Sequence, residues 1–242
     1  MTVEQKDHIY TFQEGLKDGI PIGLGYLSVS FTFGMMAVAM GLPVWAAVLI
    51  SMTNLTSAGQ FAGLPLIVTG APYLEMALTQ LIINLRYALM SFSLSQKLEQ
   101  KINRWQRCMI AFGNTDEIFA VATGKNGYVS MAYMLGLITI PYIGWASGTF
   151  IGAVASELLP EIVRSALGIA IYGMFLAIII PPAKHNRAVL KIILLSVAIS
   201  CIFHYFPVLN QVSSGFVIII CTLLASLLGA LCYPIEEAKE NG

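Results

Sequence analysis

From Gly19 to Leu74 the chain runs for 56 residues without a single Asp, Glu, Lys, Arg or His. A helix needs about 20 mostly apolar residues to cross a bilayer. Stretches of that kind lie at 20–40, 44–70, 73–95, 128–156, 162–182, 188–206 and 212–233. The pattern predicts an all-α fold, a polytopic transmembrane helix bundle of about seven spans. A shorter stretch, 108–123, contains Asp116 and Glu117 and is expected to be a re-entrant or half-buried helix, with an eighth span as the alternative. Residues 1–242 read as a single transmembrane transport domain with polar tails at 1–18 and 234–242. Ile9, Phe12 and Leu16 fall at helical spacing and suit the membrane surface.

The second span is apolar but not bland. It carries Ser51-Met52-Thr53-Asn54-Leu55-Thr56-Ser57-Ala58-Gly59-Gln60. Lipid tolerates such a patch only inside the bundle or facing a water-filled cavity. Thr53, Thr56, Ser57 and Gln60 share one helix face by spacing. Gly59 and Gly63 permit close helix approach, and Pro65 removes a backbone donor. Two geometries fit: a continuous helix with a polar stripe, or a helix broken near Gly59–Pro65 that exposes backbone groups. Interhelical hydrogen bonding would explain the hydroxyls alone. The bulkier amides of Asn54 and Gln60 favour a polar pathway.

The third span repeats polar residues at Gln80, Asn84, Tyr87 and Ser91, again one face. Arg86 points about 200° away from Asn84, at 100° per residue. Arginine deep in a bilayer is costly unless paired or hydrated. Asp116 and Glu117 are its candidate partners. Burial would favour their neutral form and Arg86 their ionised form, so the group suits uptake and release of a proton. A surface helix capped by Thr115 with an acidic first turn is the competing explanation.

Charge sets an expected orientation. The loops holding Lys97, Lys101, Arg104 and Arg107, and Lys184, Arg187 and Lys191, are basic. Both can be cytoplasmic if 108–123 does not cross, which puts the N-terminus outside. A shift of 117 residues aligns Ser30, Thr32 and Phe33 with Ser147, Thr149 and Phe150, Leu42-Pro43 with Leu159-Pro160, and Pro65 with Pro182. With seven crossings the units 20–95 and 137–206 would form an inverted repeat, as in many secondary transporters.

Composition narrows the class. The chain is 57% hydrophobic and 11% charged, against roughly 25% charged in average soluble proteins. Zero net charge gives no basic footprint for nucleic acid. Cys108, Cys201, Cys221 and Cys232 have no metal or redox spacing. There is no phosphate-binding glycine loop, H-E-x-x-H or G-x-S-x-G, so no cofactor, metal or enzymatic activity is expected. The N-terminal stretch lacks the marks of a cleaved signal peptide. His204, Glu157, Glu161 and Arg164 read as structural or solvated. Trp45, Trp105 and Trp145 read as interfacial anchors, and Gly148 and Gly152 as a packing pair.

Several of these segments resemble the large subunit of the AzlC-type branched-chain amino acid exporters. They are Gly19-Ile-Pro-Ile-Gly-Leu-Gly-Tyr with Phe33-Gly34, Ser51 to Ala62, Thr79-Gln-Leu-Ile-Ile-Asn-Leu-Arg-Tyr-Ala-Leu-Met, and Thr115-Asp-Glu. The resemblance covers much of residues 15–125. It implies proton-motive-force-driven export of valine, leucine and isoleucine, sometimes methionine, across the bacterial inner membrane. It also implies a small hydrophobic AzlD-type partner subunit. Substrate contacts are then expected from Asn54, Thr53, Thr56, Ser57, Gln60, Gln80, Asn84 and Tyr87, and coupling from Arg86, Asp116 and Glu117. A passive channel and a non-transporting scaffold for the partner are the readings from other classes.

Overall fold

The computed structural model describes residues 10–158, 160, 162, 176 and 179–233. The expectations for Ile9, Glu161, Arg164, the tail 234–242 and most of 162–182 lie outside the described residues. The described chain is helical, apart from an isolated bridge between Leu98 and Val129. It forms two compact units, one from Met1–Leu64 and Asn84–Arg164, the other from Pro65–Ile83 and Ser165–Gly242.

Helix α1 spans Phe12–Ala39. It starts inside the stretch expected to be a tail, because Thr11 and Glu14 form a reciprocal cap. The Thr11 N–H donates to Glu14 Oε2 at 2.7 Å and the Glu14 N–H to Thr11 Oγ1 at 3.3 Å, satisfying amides the helix start leaves open. Phe12 and Leu16 thus belong to α1 rather than to a separate surface helix. The next elements are α2 (Val44–Thr53), α3 (Ser57–Val68), α4 (Tyr73–Lys97), α5 (Arg104–Phe112), α6 (Asp116–Thr123) and α7 (Met131–Leu158). After them come α8 (Arg187–Tyr205), a 3-10 turn at Leu209–Gln211 and α9 (Ser214–Cys232). Among the described residues, four helices are long and apolar enough to cross a membrane: α1, α7, α8 and α9. Helix α4 is equally long but carries Glu75, Arg86 and Lys97.

Glycines bring α1 and α7 into backbone contact. Gly15 abuts the backbone of Tyr133 and Leu137, Gly23 that of Ile140, and Gly34 that of Thr149 and Ala153. From the other side, Gly144 abuts Gly23 and Gly152 abuts Phe31. Residue numbers rise together along both helices, so α1 and α7 run parallel. An inverted repeat of 20–95 and 137–206 would set them antiparallel. The 117-residue relation is therefore not inverted.

The chain between these helices makes two helical hairpins. Ser51, in the last turn of α2, meets Thr149 on α7 at 2.7 Å, and the adjacent Met52 carbonyl accepts from the Tyr142 hydroxyl at 3.1 Å. So α2 descends from the C-terminal ends of α1 and α7. Then α3 turns back, with Gln60 bonded to Trp145 and Phe61 edge-on to Phe33 at 5.6 Å. The span expected over 44–70 is a re-entrant hairpin folded at residues 54–56, not a crossing or a continuous polar-striped helix. The second hairpin, α5–α6, enters from the other end. Its two ends are tied together there: the Val129 N–H donates to the Lys97 carbonyl at 2.9 Å, and Lys97 Nζ to the Lys125 carbonyl at 2.8 Å. The segment 108–123 accordingly returns to its own side. Hairpin arms of 10, 12, 9 and 8 residues are about 12–18 Å long at 1.5 Å per residue, roughly half of a 30 Å bilayer core. Within the first unit α4 runs antiparallel to α1, from Ser91 beside Asn114 to Lys97 beside Lys125. The chain thus repeats a long helix followed by a hairpin, twice and in opposite directions: α1 with α2–α3, then α4 with α5–α6.

A separate cap stabilises the second unit. Glu75 is buried, and its Oε1 accepts from Ser213 Oγ at 2.5 Å and from the Gly215 N–H at 3.0 Å. A carboxylate at the N-terminus of α9 satisfies an open amide and complements the helix dipole.

Candidate functional site

The two hairpin tips meet at Tyr26. Tyr26 stands at the midpoint of α1 and Trp145 at the midpoint of α7, each helix being 28 residues long. Their rings pack edge to face with centroids 5.1 Å apart. Leu55, at the tip of the first hairpin, completes this buried cluster. The Tyr26 hydroxyl bonds Thr115 Oγ1 at 2.5 Å, at the tip of the second hairpin, and also engages the Glu117 carboxylate.

Local chemistry explains each interruption. At the first tip, Asn54 Oδ1 accepts from both the Thr56 N–H and the Thr56 hydroxyl at 2.9 Å. Such an Asx turn replaces a helical bond with a side-chain one and lets the backbone reverse. The break therefore falls at 54–56 rather than near Gly59–Pro65. Gly59, Gly63 and Pro65 lie inside α3. At the second tip, α5 ends at Gly113, and a Cβ there would sit 2.5 Å from the Ile138 side chain, so a larger residue would have to displace that side chain for the tip to approach α7. Thr115 then caps α6.

A buried chain of hydrogen bonds fixes the first hairpin. Trp145 Nε1 donates to Gln60 Oε1 at 3.0 Å, Gln60 Nε2 donates to Ser51 Oγ at 3.1 Å, and the Ser51 and Thr149 hydroxyls are hydrogen-bonded to each other at 2.7 Å. Trp145 is 1% exposed and Gln60 2%. Trp45 and Trp105 are exposed as anchors would be; Trp145 is instead a core residue of this network.

The expected coupling residues come together at the second tip. Arg86 Nη1 lies 2.7 Å from Asp116 Oδ2, and its Nη2 donates to the Tyr87 hydroxyl at 3.2 Å. Asn114 Nδ2 donates to Ser91 Oγ at 3.1 Å. Tyr87 and Ser91, on the stripe that excludes Arg86, join the same cluster: the arginine side chain lies over the Tyr87 ring, 4.9 Å from its centroid, and Ser91 accepts from Asn114. Thr53 is exposed and its hydroxyl donates back to the Leu49 carbonyl at 2.8 Å. Ser57 opens α3, and Gln80 and Asn84 are half-buried on α4.

Sequence reasoning missed Tyr26, Trp145, Thr149 and Asn114, since aromatic and small polar residues inside apolar runs carry no positional signal of their own. It also missed a seal at the N-terminal end of α1. There Asp18 Oδ2 lies 2.7 Å from Lys125 Nζ and accepts from the Tyr133 hydroxyl at 2.7 Å.

This geometry belongs to a recognisable lineage. Residues 21–159, which contain both hairpins, match the family described as AzlC protein. The chain belongs to the AzlC family. It is 30% identical over 185 residues to the inner membrane protein YgaZ of Escherichia coli K12, covering 74% of this chain and 76% of that protein. An uncharacterized membrane protein of Archaeoglobus fulgidus is 33% identical over 210 residues, covering 85% and 89% of the two chains. One from Helicobacter pylori J99 is 25% identical over 154 residues, covering 62% and 67%. No solved structure matches the chain. This AzlC-family chain is a multi-pass membrane protein homologous to an inner-membrane protein.

Proposed function

We propose that the protein is a bacterial inner-membrane secondary transporter that exports branched-chain amino acids, driven by the proton motive force, together with a small hydrophobic AzlD-type subunit. The observation that carries this reading is the meeting of two re-entrant hairpin tips at Tyr26, halfway along α1. Half-helices that end at mid-membrane offer partial charges to a substrate without exposing backbone to lipid. Valine, leucine, isoleucine and methionine are the cargo that the motif resemblance supplies. Tyr26, Leu55 and Trp145 offer an apolar wall for a branched side chain, where each methylene discriminates by about 1–3 kcal/mol.

Asn54, Thr56, Ser57 and Gln60 line the first tip as substrate contacts, with Thr53, Asn84 and Tyr87 as the outer set. Asp116 and Glu117 carry the coupled proton, and Arg86 acts as the electrostatic switch. The Arg86–Asp116 pair supports that role, because protonating Asp116 would release the guanidinium.

Cells lacking their own exporters, loaded with valine-, leucine- or isoleucine-containing dipeptides, test the proposal. Efflux should saturate, require the small partner and stop with an uncoupler. Unsaturating efflux that ignores the uncoupler would make the protein a channel. No efflux from assembled protein would remove this substrate class.

A further inference from the structure

Resting on the reading of the hairpin tips as the substrate site, we infer that the site is polarised: Asn114 Oδ1 accepts from the ammonium group of the substrate, and the start of α3 faces its carboxylate. The two tips differ in charge. Helix α6 carries Asp116 and Glu117 in its first turn. Its N-terminal dipole is therefore already answered by two carboxylates; Arg86 balances Asp116, and Glu117, bonded to the neutral Tyr26 hydroxyl, leaves the tip with a net negative charge that attracts a cation rather than an anion. Helix α3 has no acidic residue in its first turn. No acidic side chain there opposes its dipole, so it favours an anionic group.

The second observation is Asn114 itself. It lies in the tip between α5 and α6 and is 4% exposed. Its Nδ2 is committed to Ser91, yet its buried Oδ1 has no hydrogen-bond partner among the described residues. A buried acceptor left unpaired is costly, so this one calls for a donor that the described residues do not supply. Asn54, at the opposite tip, differs in this respect: its Oδ1 is filled by Thr56. The Asn54 acceptor is thus filled, and the Asn114 acceptor awaits a donor. A zwitterion with adjacent ammonium and carboxylate groups answers both, with Tyr26 between them. The selected chemical class is an α-amino acid with a free ammonium group.

The test uses the full-length chain in detergent, with Trp45→Phe and Trp105→Phe so that Trp145 alone reports. Leucine, 3-methylbutylamine (ammonium without carboxylate) and 4-methylpentanoate (carboxylate without ammonium) are titrated by fluorescence. Asn114→Leu should weaken leucine and the amine by about tenfold or more, the worth of a hydrogen bond to a charged group. It should leave the acid within about twofold. Asn114→Asp, which keeps the acceptor, should retain amine binding, and it carries the test if the leucine variant misfolds. Weakened acid with unchanged amine would overturn the polarity. Leucine binding with an amine indifferent to position 114 would overturn it too while leaving the transport reading intact. If none of the three probes perturbs Trp145 in the parent protein, the substrate site fails and the polarity with it.

Discussion

Replacing Gly144 by alanine probes the contact on which the site is hung. A Cβ at Gly144 would lie 2.5 Å from the Gly23 carbonyl oxygen and 3.1 Å from its carbon. Both are backbone atoms that cannot swing aside. Reaching ordinary contact at 3.4 Å requires α1 and α7 to separate by about 0.9 Å, which a close-packed interface resists. Overpacking of this kind costs about 1–3 kcal/mol. Alanine also gains about 1 kcal/mol over glycine in helix propensity, so one variant alone would mix two effects. Gly25→Ala separates them, because nothing lies within 4 Å of its added Cβ and it receives the same propensity gain. The difference between the two variants should therefore be about 1–3 kcal/mol, with Gly144→Ala the less stable. Thermal or denaturant unfolding in detergent, followed by circular dichroism, reads it. Gly144 adjoins Trp145, and Gly23 lies one turn from Tyr26, so efflux should fall in the same variant. Equal stability of Gly144→Ala and Gly25→Ala would refute the parallel close approach of α1 and α7.

Other consequences follow from the hairpins and their bonds. In a cysteine-free background, Gly41→Cys and Pro160→Cys should react with an impermeant thiol reagent from one face of the membrane, and Lys101→Cys and Gly127→Cys from the other; labelling of Gly41→Cys and Pro160→Cys from opposite faces would contradict a parallel α1 and α7. Gln60→Leu strips the partners from Trp145 Nε1 and leaves Ser51 only Thr149. It should cost about 1–3 kcal/mol on unfolding, whereas Thr53→Val, at an exposed hydroxyl, should stay within about 0.5 kcal/mol. Arg86→Gln keeps a hydrogen-bond donor beside Asp116 while removing the charge of the pair. Uncoupler-sensitive efflux should nonetheless collapse, and unchanged coupling in that variant and in Asp116→Asn would remove the pair from the mechanism.

Much of this fold is legible in the chain, and the exceptions share a cause. Apolar runs locate α1, α7, α8 and α9 well, because length and hydropathy are what a bilayer demands. The same measure misreads 44–70, since two short arms of a hairpin add up to one span's worth of apolar residues. Proline misleads in the same segment. Pro65 suggested a break, yet Pro21, Pro65 and Pro141 all sit inside helices, whereas Asn54 ends one through its own side chain. Arg86, Asp116 and Glu117 stand out as charges in apolar surroundings, and two of them do pair. Tyr26 and Trp145 are invisible by composition. Their importance comes from glycines at Gly23 and Gly144, which bring the two helix midpoints together, and that is a property of register between distant segments. The parallel direction of α1 and α7 is likewise a tertiary fact, which is why a 117-residue similarity was open to an inverted interpretation.

Two hairpins entering from opposite ends meet tip to tip at Tyr26. Leu55 and Thr115 both contact Tyr26, one from each tip. Leu55→Cys with Thr115→Cys, in a cysteine-free chain within native membranes, should be joined by the shortest bifunctional thiol reagents. Leucine should slow that joining. Failure to join, with each cysteine reactive on its own, would mean that the tips do not meet, and the account would fall.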